Sequence, residues 1–99
     1  MTAYVIANYN ITNAEGYQSY VGGVGPTILG HGGEILVAGP GSEIVEGAPG
    51  AVTVVLKFPS MEAARGWYDS PEYREIIALR TDNTEGSMVF ANEFVLPGS

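Results

Sequence analysis

The hydrophobic pattern of the chain predicts four strands separated by helices and turns. Segments rich in β-branched and aromatic residues are typical of strands, and they occur at "AYVIANYNI" (3–11), "EILVAG" (34–39), "AVTVVLKF" (51–58) and "GSMVFANEFVL" (86–96). The connection "PGSEIVEGAPG" (40–50) is rich in proline and glycine, which predicts a mobile loop between the second and third strands.

After the first strand the apolar period changes to three and four residues, which predicts a helix. Its apolar positions are Tyr17, Tyr20 or Val21, Val24 and Ile28. Thr12 and Glu15 have the spacing of a capping box at its start. Three glycines within residues 22–25, followed by Pro26, predict a kink or two short helices, and the Gly32-Gly33 pair predicts the end of the helical segment.

A second helical region follows the third strand and contains an interruption. Ser60 has the position of an N-cap for residues 61–69, and Ser70-Pro71-Glu72 has the cap, the first-position proline and the early acid that begin a new helix. The element order is therefore β-α-β-β-α-β, the ferredoxin-like arrangement of the α+β class, with an antiparallel four-stranded sheet. Residues 1–99 are predicted to form one domain.

The predicted strands carry apolar side chains on both faces. In the third strand Val54 and Val55 point to opposite faces, and in the last strand Val89 and Phe90 do the same. Two helices cover only one face of a four-stranded sheet, so the second apolar face needs another cover. A second copy of the chain is the simplest cover, and the sequence therefore predicts a homodimer.

Composition and charge narrow the range of partners. The 99 residues include 11 acidic and four basic side chains, which give a formal net charge of −7. This charge repels phosphate backbones and anionic lipids, so neither a nucleic acid nor a membrane is predicted as a partner. The sequence has no cysteine and "MTAYVIANYN" at its start lacks the form of an export signal, so a soluble cytoplasmic protein is expected.

One long run of residues has the pattern of a known family. The run is "VVLKFPSMEAARGWYDSPEYREIIALR" (54–80), preceded by "YVIANYNITNAEGYQSY" (4–20) and the glycine pair between them. It resembles the domain of unknown function 1330 family of the dimeric α+β barrel superfamily. Its most specific positions are Phe58, Pro59, Ser60, Ala64, Trp67, Tyr68, Ser70, Tyr73 and Arg80. The resemblance implies a ferredoxin-like monomer whose sheet packs on that of a second copy, with an unassigned activity.

The resemblance does not assign a cofactor or a reaction. Relatives in the wider superfamily include cofactor-free monooxygenases, lactone isomerases and haem enzymes, but a fold does not carry a function with it. The one histidine, His31, lies in a glycine-rich turn rather than on a later helix, so haem ligation is not supported and no cofactor is predicted. Glu34 and Ala38 stand where the family often has basic residues, which weakens any inherited anion site there.

Arg80 is the leading candidate for binding a ligand. Tyr73, Ile77 and Arg80 are spaced four and three residues apart, so they share one face of a helix. A guanidinium beside an apolar face and phenol groups is able to hold a small carboxylate or enolate, which makes Arg80 and Tyr73 candidates for binding or catalysis. The structural alternative is that Arg80 binds carbonyls at the helix end or pairs with a carboxylate of the chain.

Three further aromatic residues and the histidine have two interpretations each. Trp67, Tyr17 and Tyr20 lie on apolar stripes that form either core or the lining of a ligand cavity. His31 is a candidate proton shuttle, and its alternative role is a favourable interaction with a helix C-terminus.

The acidic residues give no metal site. Asp69 and Glu72 flank Ser70, where they are either an acid and base pair or charges that favour the start of a helix. One histidine and scattered carboxylates do not have the spacing of metal ligands, so no metal is predicted.

Two functional hypotheses follow from these residues. The first is a cofactor-free enzyme or binding protein for a small anionic or enolizable compound, with a cavity between the helices and the sheet. The second is a non-catalytic dimeric domain for binding or assembly. Polar groups that converge inside an apolar cavity favour the first hypothesis, and a filled core with an ion-paired Arg80 favours the second.

Overall fold

A four-stranded antiparallel sheet forms the base of the fold in the computed structural model, which describes residues 1–98. The strands are β1 (Ala3–Ile11), β2 (Glu34–Gly39), β3 (Val52–Phe58) and β4 (Thr84–Asn92), and they lie in the order β2-β3-β1-β4. Every neighbouring pair is antiparallel. The predicted ferredoxin-like order β-α-β-β-α-β is confirmed.

The last strand is shorter than the sequence predicts. Strand β4 ends at Asn92, and the prediction that it continues to Leu96 is wrong. Its partner β1 begins at Ala3, which pairs with Asn92, so residues 93–96 have almost no strand beside them to complete a ladder. Phe94 is accordingly exposed.

One continuous helix, α1 (Ala14–Leu29), connects β1 to β2. The predicted capping box at Thr12 is wrong, because the side chain of Asn13 accepts the N–H of Gly16 and the N–H of Thr12 donates to the carbonyl of Asn83. The predicted kink or division is also wrong, since Pro26 lies inside a single helix. Packing of the apolar face of α1 outweighs the hydrogen bond that a proline removes.

Three short helices cover the remaining part of the same sheet face. They are α2 (Met61–Tyr68), α3 (Pro71–Arg74) and α4 (Ile77–Thr81). The predicted caps are confirmed: Ser60 Oγ accepts the N–H of Ala63 at 3.0 Å, and Ser70 Oγ accepts the N–H of Tyr73 at 3.2 Å. The helix that begins after Ser70 is broken between α3 and α4 rather than continuous to Arg80.

Replacing Ser70 by alanine is expected to lower the free energy of unfolding by about 1 kcal/mol, because the cap of α3 is lost. The buried hydroxyl also donates to the carbonyl of Trp67 at 2.7 Å, so two hydrogen bonds depend on it. Urea denaturation measures the change. Ser19→Ala, at an exposed position within α1, is the matched control and should not destabilise the protein. Equal stability of the two variants would contradict this account of the cap.

The core lies between the helices and one face of the sheet. Its largest fully buried side chains are Trp67, Tyr73, Phe58 and Val5. On the opposite face, Val37, Val55, Ile6 and Val89 pair in sequence across all four strands. We call this second side of the sheet the open face, because the helices lie on the other side and Ile6, Val37 and Val89 are 39%, 47% and 53% exposed.

Within the described chain, residues 1–98, no helix has both the length and the apolar composition needed to cross a lipid bilayer.

Candidate functional site

A cavity of about 410 Å³ lies between α1 and the helix-covered face of the sheet. Its size is within the range of small-molecule sites, which is roughly 300–1,000 Å³. Most of its wall is apolar and comes from α1 and strands β1, β2 and β3. Trp67 of α2, Arg80 of α4 and Met88 of β4 complete the wall. Three different helices and all four strands therefore contribute to one cavity.

The cavity has a closed end and an open side. Buried side chains, including Tyr20, Trp67 and Arg80, line the closed end. The exposed Val21 of α1 and Ile35 of β2 line the other side, so the opening lies between α1 and the edge strand. A compound that enters there meets apolar surface first and the guanidinium last.

Arg80 is a buried cation that has no carboxylate partner among residues 1–98. Its side chain is 8% exposed, and Nε donates to the hydroxyl of Tyr73 at 3.2 Å. Among residues 1–98, no acidic side chain lies within 4.0 Å of its guanidinium, whereas Lys57, Arg65 and Arg74 each pair with one. Burial opposes the charge, but the nearby phenol groups of Tyr73 and Tyr20 favour it, and the pKa of Arg80 is raised above its usual value.

Four tyrosines form two hydrogen-bonded pairs in the wall of this cavity and directly behind it. The hydroxyls of Tyr20 and Tyr73 are 2.8 Å apart, and those of Tyr9 and Tyr17 are 2.5 Å apart. Burial first, and then the neighbouring phenol, raises the pKa values of Tyr9 and Tyr20 above the ordinary value. Both hydroxyls are therefore neutral at physiological pH and act through hydrogen bonds rather than through charge.

The structure brings most of the sequence-predicted site residues to this cavity. Arg80, Trp67, Tyr17 and Tyr20 line it. Tyr73 is fully buried behind the lining and holds the guanidinium. The indole N–H of Trp67 donates to Thr27 Oγ1 at 3.0 Å, so this residue presents its ring to the cavity while its polar atom is already bonded.

Tyr9 is the lining residue that the sequence reasoning missed. It lies on β1, where Ala3, Val5, Ala7 and Tyr9 alternate onto the helix-covered face and are all buried. That alternation was a usable signal, because a tyrosine on a buried strand face needs a partner for its hydroxyl.

His31 lies outside the cavity. It is in the turn after α1, and its Nε2 is 3.2 Å from Oε2 of Glu72 in α3. Hydrogen bonding to His31 is the main reason that the pKa of Glu72 is lowered. Asp69 instead pairs with Arg65 and Arg74, so Asp69 and Glu72 have separate partners. No group of three potential metal ligands is found within residues 1–98.

Comparison with known proteins places the fold in a recognised group. The model of the family described as "Domain of unknown function (DUF1330)" matches residues 2–94. RPA0582, a protein of unknown function from Rhodopseudomonas palustris, is similar with a TM-score of 0.78 and 16% identity, over 96% of this chain and 84% of that chain. No curated protein matches the sequence.

Two further similar structures have an oxygenase in their description. SnoaB, a cofactor-independent oxygenase from Streptomyces nogalater, has a TM-score of 0.69 and 7% identity, over 99% of this chain and 98% of that chain. A candidate antibiotic biosynthesis monooxygenase from Caulobacter crescentus CB15 has a TM-score of 0.62 and 14% identity, over 90% and 84%. At these identities the likeness shows a shared ferredoxin-like α+β barrel fold, and a fold alone does not assign an activity.

Proposed function

The chain belongs to the DUF1330 family of unknown function, and from its cavity we propose that it binds a small, largely apolar compound that carries one anionic or enolizable oxygen. The apolar wall holds the body of the compound. Arg80 at the closed end holds the oxygen.

The buried guanidinium of Arg80, which pairs with no carboxylate in residues 1–98, is the observation that supports this proposal most directly. An arginine cannot lose its charge in a protein, and a buried unpaired charge costs several kcal/mol. Tyr73 supplies one neutral hydrogen bond, which offsets only part of that cost. A bound anion supplies both the opposite charge and strong acceptors for the guanidinium N–H groups that do not bond to Tyr73.

The proposed function also includes a reaction: the protein converts the bound compound without a cofactor. A guanidinium and phenol hydroxyls around one oxygen stabilise negative charge as it develops, and this lowers the barrier to forming an enolate when water at the open side of the cavity accepts the proton. The likeness to SnoaB, a cofactor-independent oxygenase, supports the idea that this fold accommodates such chemistry. It does not identify the reaction of this protein.

Benzoate and benzamide test the binding proposal because they have the same shape and differ in charge. Benzoate is expected to raise the melting temperature and to bind about tenfold more tightly than benzamide, since hydrogen bonds to charged groups are stronger than neutral ones. Thermal shift and calorimetry give the two measurements. Equal binding of both compounds, or binding of neither, would refute the anion site.

We also infer that two copies of the chain pack their open faces together. Val37, Val55, Ile6 and Val89 form an apolar row across the sheet, and exposed apolar surface of this kind is typical of an interface. The face is its own complement under a two-fold axis, which is the commonest symmetry of soluble oligomers. The same surface also supports the alternative, a non-catalytic assembly domain. A domain of that kind does not need the cavity.

A further inference from the structure

The polar end of the cavity contains hydrogen-bond donors and a cation, and the described lining residues supply no base there. The titratable groups that line it are Tyr9 of β1, Tyr17 and Tyr20 of α1 and Arg80 of α4, and Tyr73 of α3 lies directly behind them. Among the described residues that line the cavity, there is no aspartate, glutamate, histidine or lysine. Because burial keeps the phenols of Tyr9 and Tyr20 protonated, they do not replace the missing base.

Burial of Tyr73 favours one direction for the tyrosine protons, although either hydroxyl of the Tyr20–Tyr73 pair is able to donate. Tyr73 Oη accepts from Arg80 Nε, and among the described residues its own buried proton has Tyr20 Oη, at 2.8 Å, as its acceptor. Tyr20, which lines the cavity, then keeps its proton for a third group. In the pair of Tyr9 and Tyr17, one hydroxyl donates to the other and the second keeps a free proton. The closed end therefore presents donors toward a ligand oxygen.

We propose that this end of the cavity binds weak acids of the phenol and enol class as their anions and releases their proton to water. This inference rests on the function proposed for the cavity, and it restricts the expected ligands to phenols and enols. The O–H bond of the ligand breaks, its electron pair stays on the ligand oxygen, and the proton leaves through the open side to water or buffer. No oxidant or reductant takes part.

The physical reason is the balance of charge at the closed end. An opposite charge within about 4–6 Å lowers the pKa of an acid by roughly 1–3 units, whereas burial raises it. Here no acidic side chain among residues 1–98 is within ion-pairing distance of Arg80, so the cation acts on the ligand without competition. The free proton of Tyr20 adds a hydrogen bond that only the anion accepts at full strength.

The probe that tests this inference is 4-nitrophenol, because its anion absorbs visible light and its neutral form does not. A pH titration of its absorbance, with and without saturating protein, gives its pKa in the bound and free states. We expect the bound pKa to be lower than the free value by about one unit or more. An unchanged or raised bound pKa overturns the inference.

Two variants identify the groups responsible for the shift. Arg80→Met is expected to remove the shift, and Tyr20→Phe is expected to reduce it. Tyr68→Phe, which lies outside the lining of the cavity, should leave it unchanged. A shift that survives in Arg80→Met overturns the inference even if 4-nitrophenol binds.

Benzoate separates this inference from the proposed function. If benzoate binds and 4-nitrophenol does not, or binds only in its neutral form, the cavity is an anion site and the weak-acid inference is wrong. If neither compound binds, both the proposed function and the weak-acid inference are wrong.

Discussion

Arg80→Met is expected to weaken the binding of benzoate by about 10- to 100-fold, because a hydrogen bond to a charged group contributes roughly 1.5–3 kcal/mol. Methionine retains most of the apolar stem that fills the closed end of the cavity. The variant should fold, since replacing a buried charge by an apolar group of similar volume is often neutral or stabilising. Calorimetric titration measures the affinity, and urea denaturation measures the stability.

Arg74→Met is the matched control for this substitution. It removes the same charge from the chain, but Arg74 is exposed, pairs with Asp69 and lies over the ring of Tyr68. Binding of benzoate should therefore be unaffected. If Arg80→Met binds benzoate as tightly as Arg74→Met does, Arg80 is not the anchor of the ligand. If Arg80→Met is instead strongly destabilised and the wild type binds no acid, the guanidinium has a structural role.

The contact between Tyr73 and Arg80 was predictable from the sequence, because it depends on the spacing of two nearby residues. The separation of seven positions from Tyr73 to Arg80 predicted that they share a face, and their side chains do meet at 3.2 Å. The predicted path was wrong, because the helix breaks between them at Glu75 and Ile76. Ile76 packs against the core beside Gly23 of α1, and contacts with a distant helix leave no local pattern in the sequence.

The tyrosine pairs were not predictable in the same way. Tyr9 and Tyr17 are close in sequence but belong to a strand and a helix, and Tyr20 and Tyr73 are 53 residues apart. The two members of each pair come together because of the angle at which α1 crosses the sheet. Hydrophobic periodicity does not predict that angle. Strand alternation does give the face of each residue, so it located Val54 and Val55 on opposite faces, and the register confirms that assignment.

Within the described part of the chain, the absence of a carboxylate beside Arg80 is a three-dimensional fact that composition did not suggest. The chain has 11 acidic residues, and its other three basic side chains all find one of them. In a chain with this excess of acids, an unpaired buried cation is unexpected on charge statistics alone. The apolar wall supplied by β1, β3 and α1 keeps carboxylates away from the closed end and leaves that position for a ligand.

Ile6→Glu is expected to convert a dimer into a folded monomer. The side chain of Ile6 stands at the centre of the apolar row on the open face and is 39% exposed in the single chain, so a charge there is tolerated when the face meets water. In a symmetric dimer the same substitution buries two like charges. Burial of an unpaired charge costs several kcal/mol, and every ~1.4 kcal/mol raises the dissociation constant about tenfold.

Light scattering coupled to gel filtration measures this effect as a mass. The wild type should give about twice the 10.4 kDa mass of the chain, and Ile6→Glu should give the mass of one chain with an unchanged circular dichroism spectrum. Val45→Glu, in the exposed connection between β2 and β3, introduces the same charge outside the apolar row and should remain dimeric. Val5→Glu, one residue before Ile6 but fully buried under the helices, should unfold the protein.

A monomeric wild type at micromolar concentration would contradict the dimer. Retention of the dimer by Ile6→Glu would move the interface to another surface.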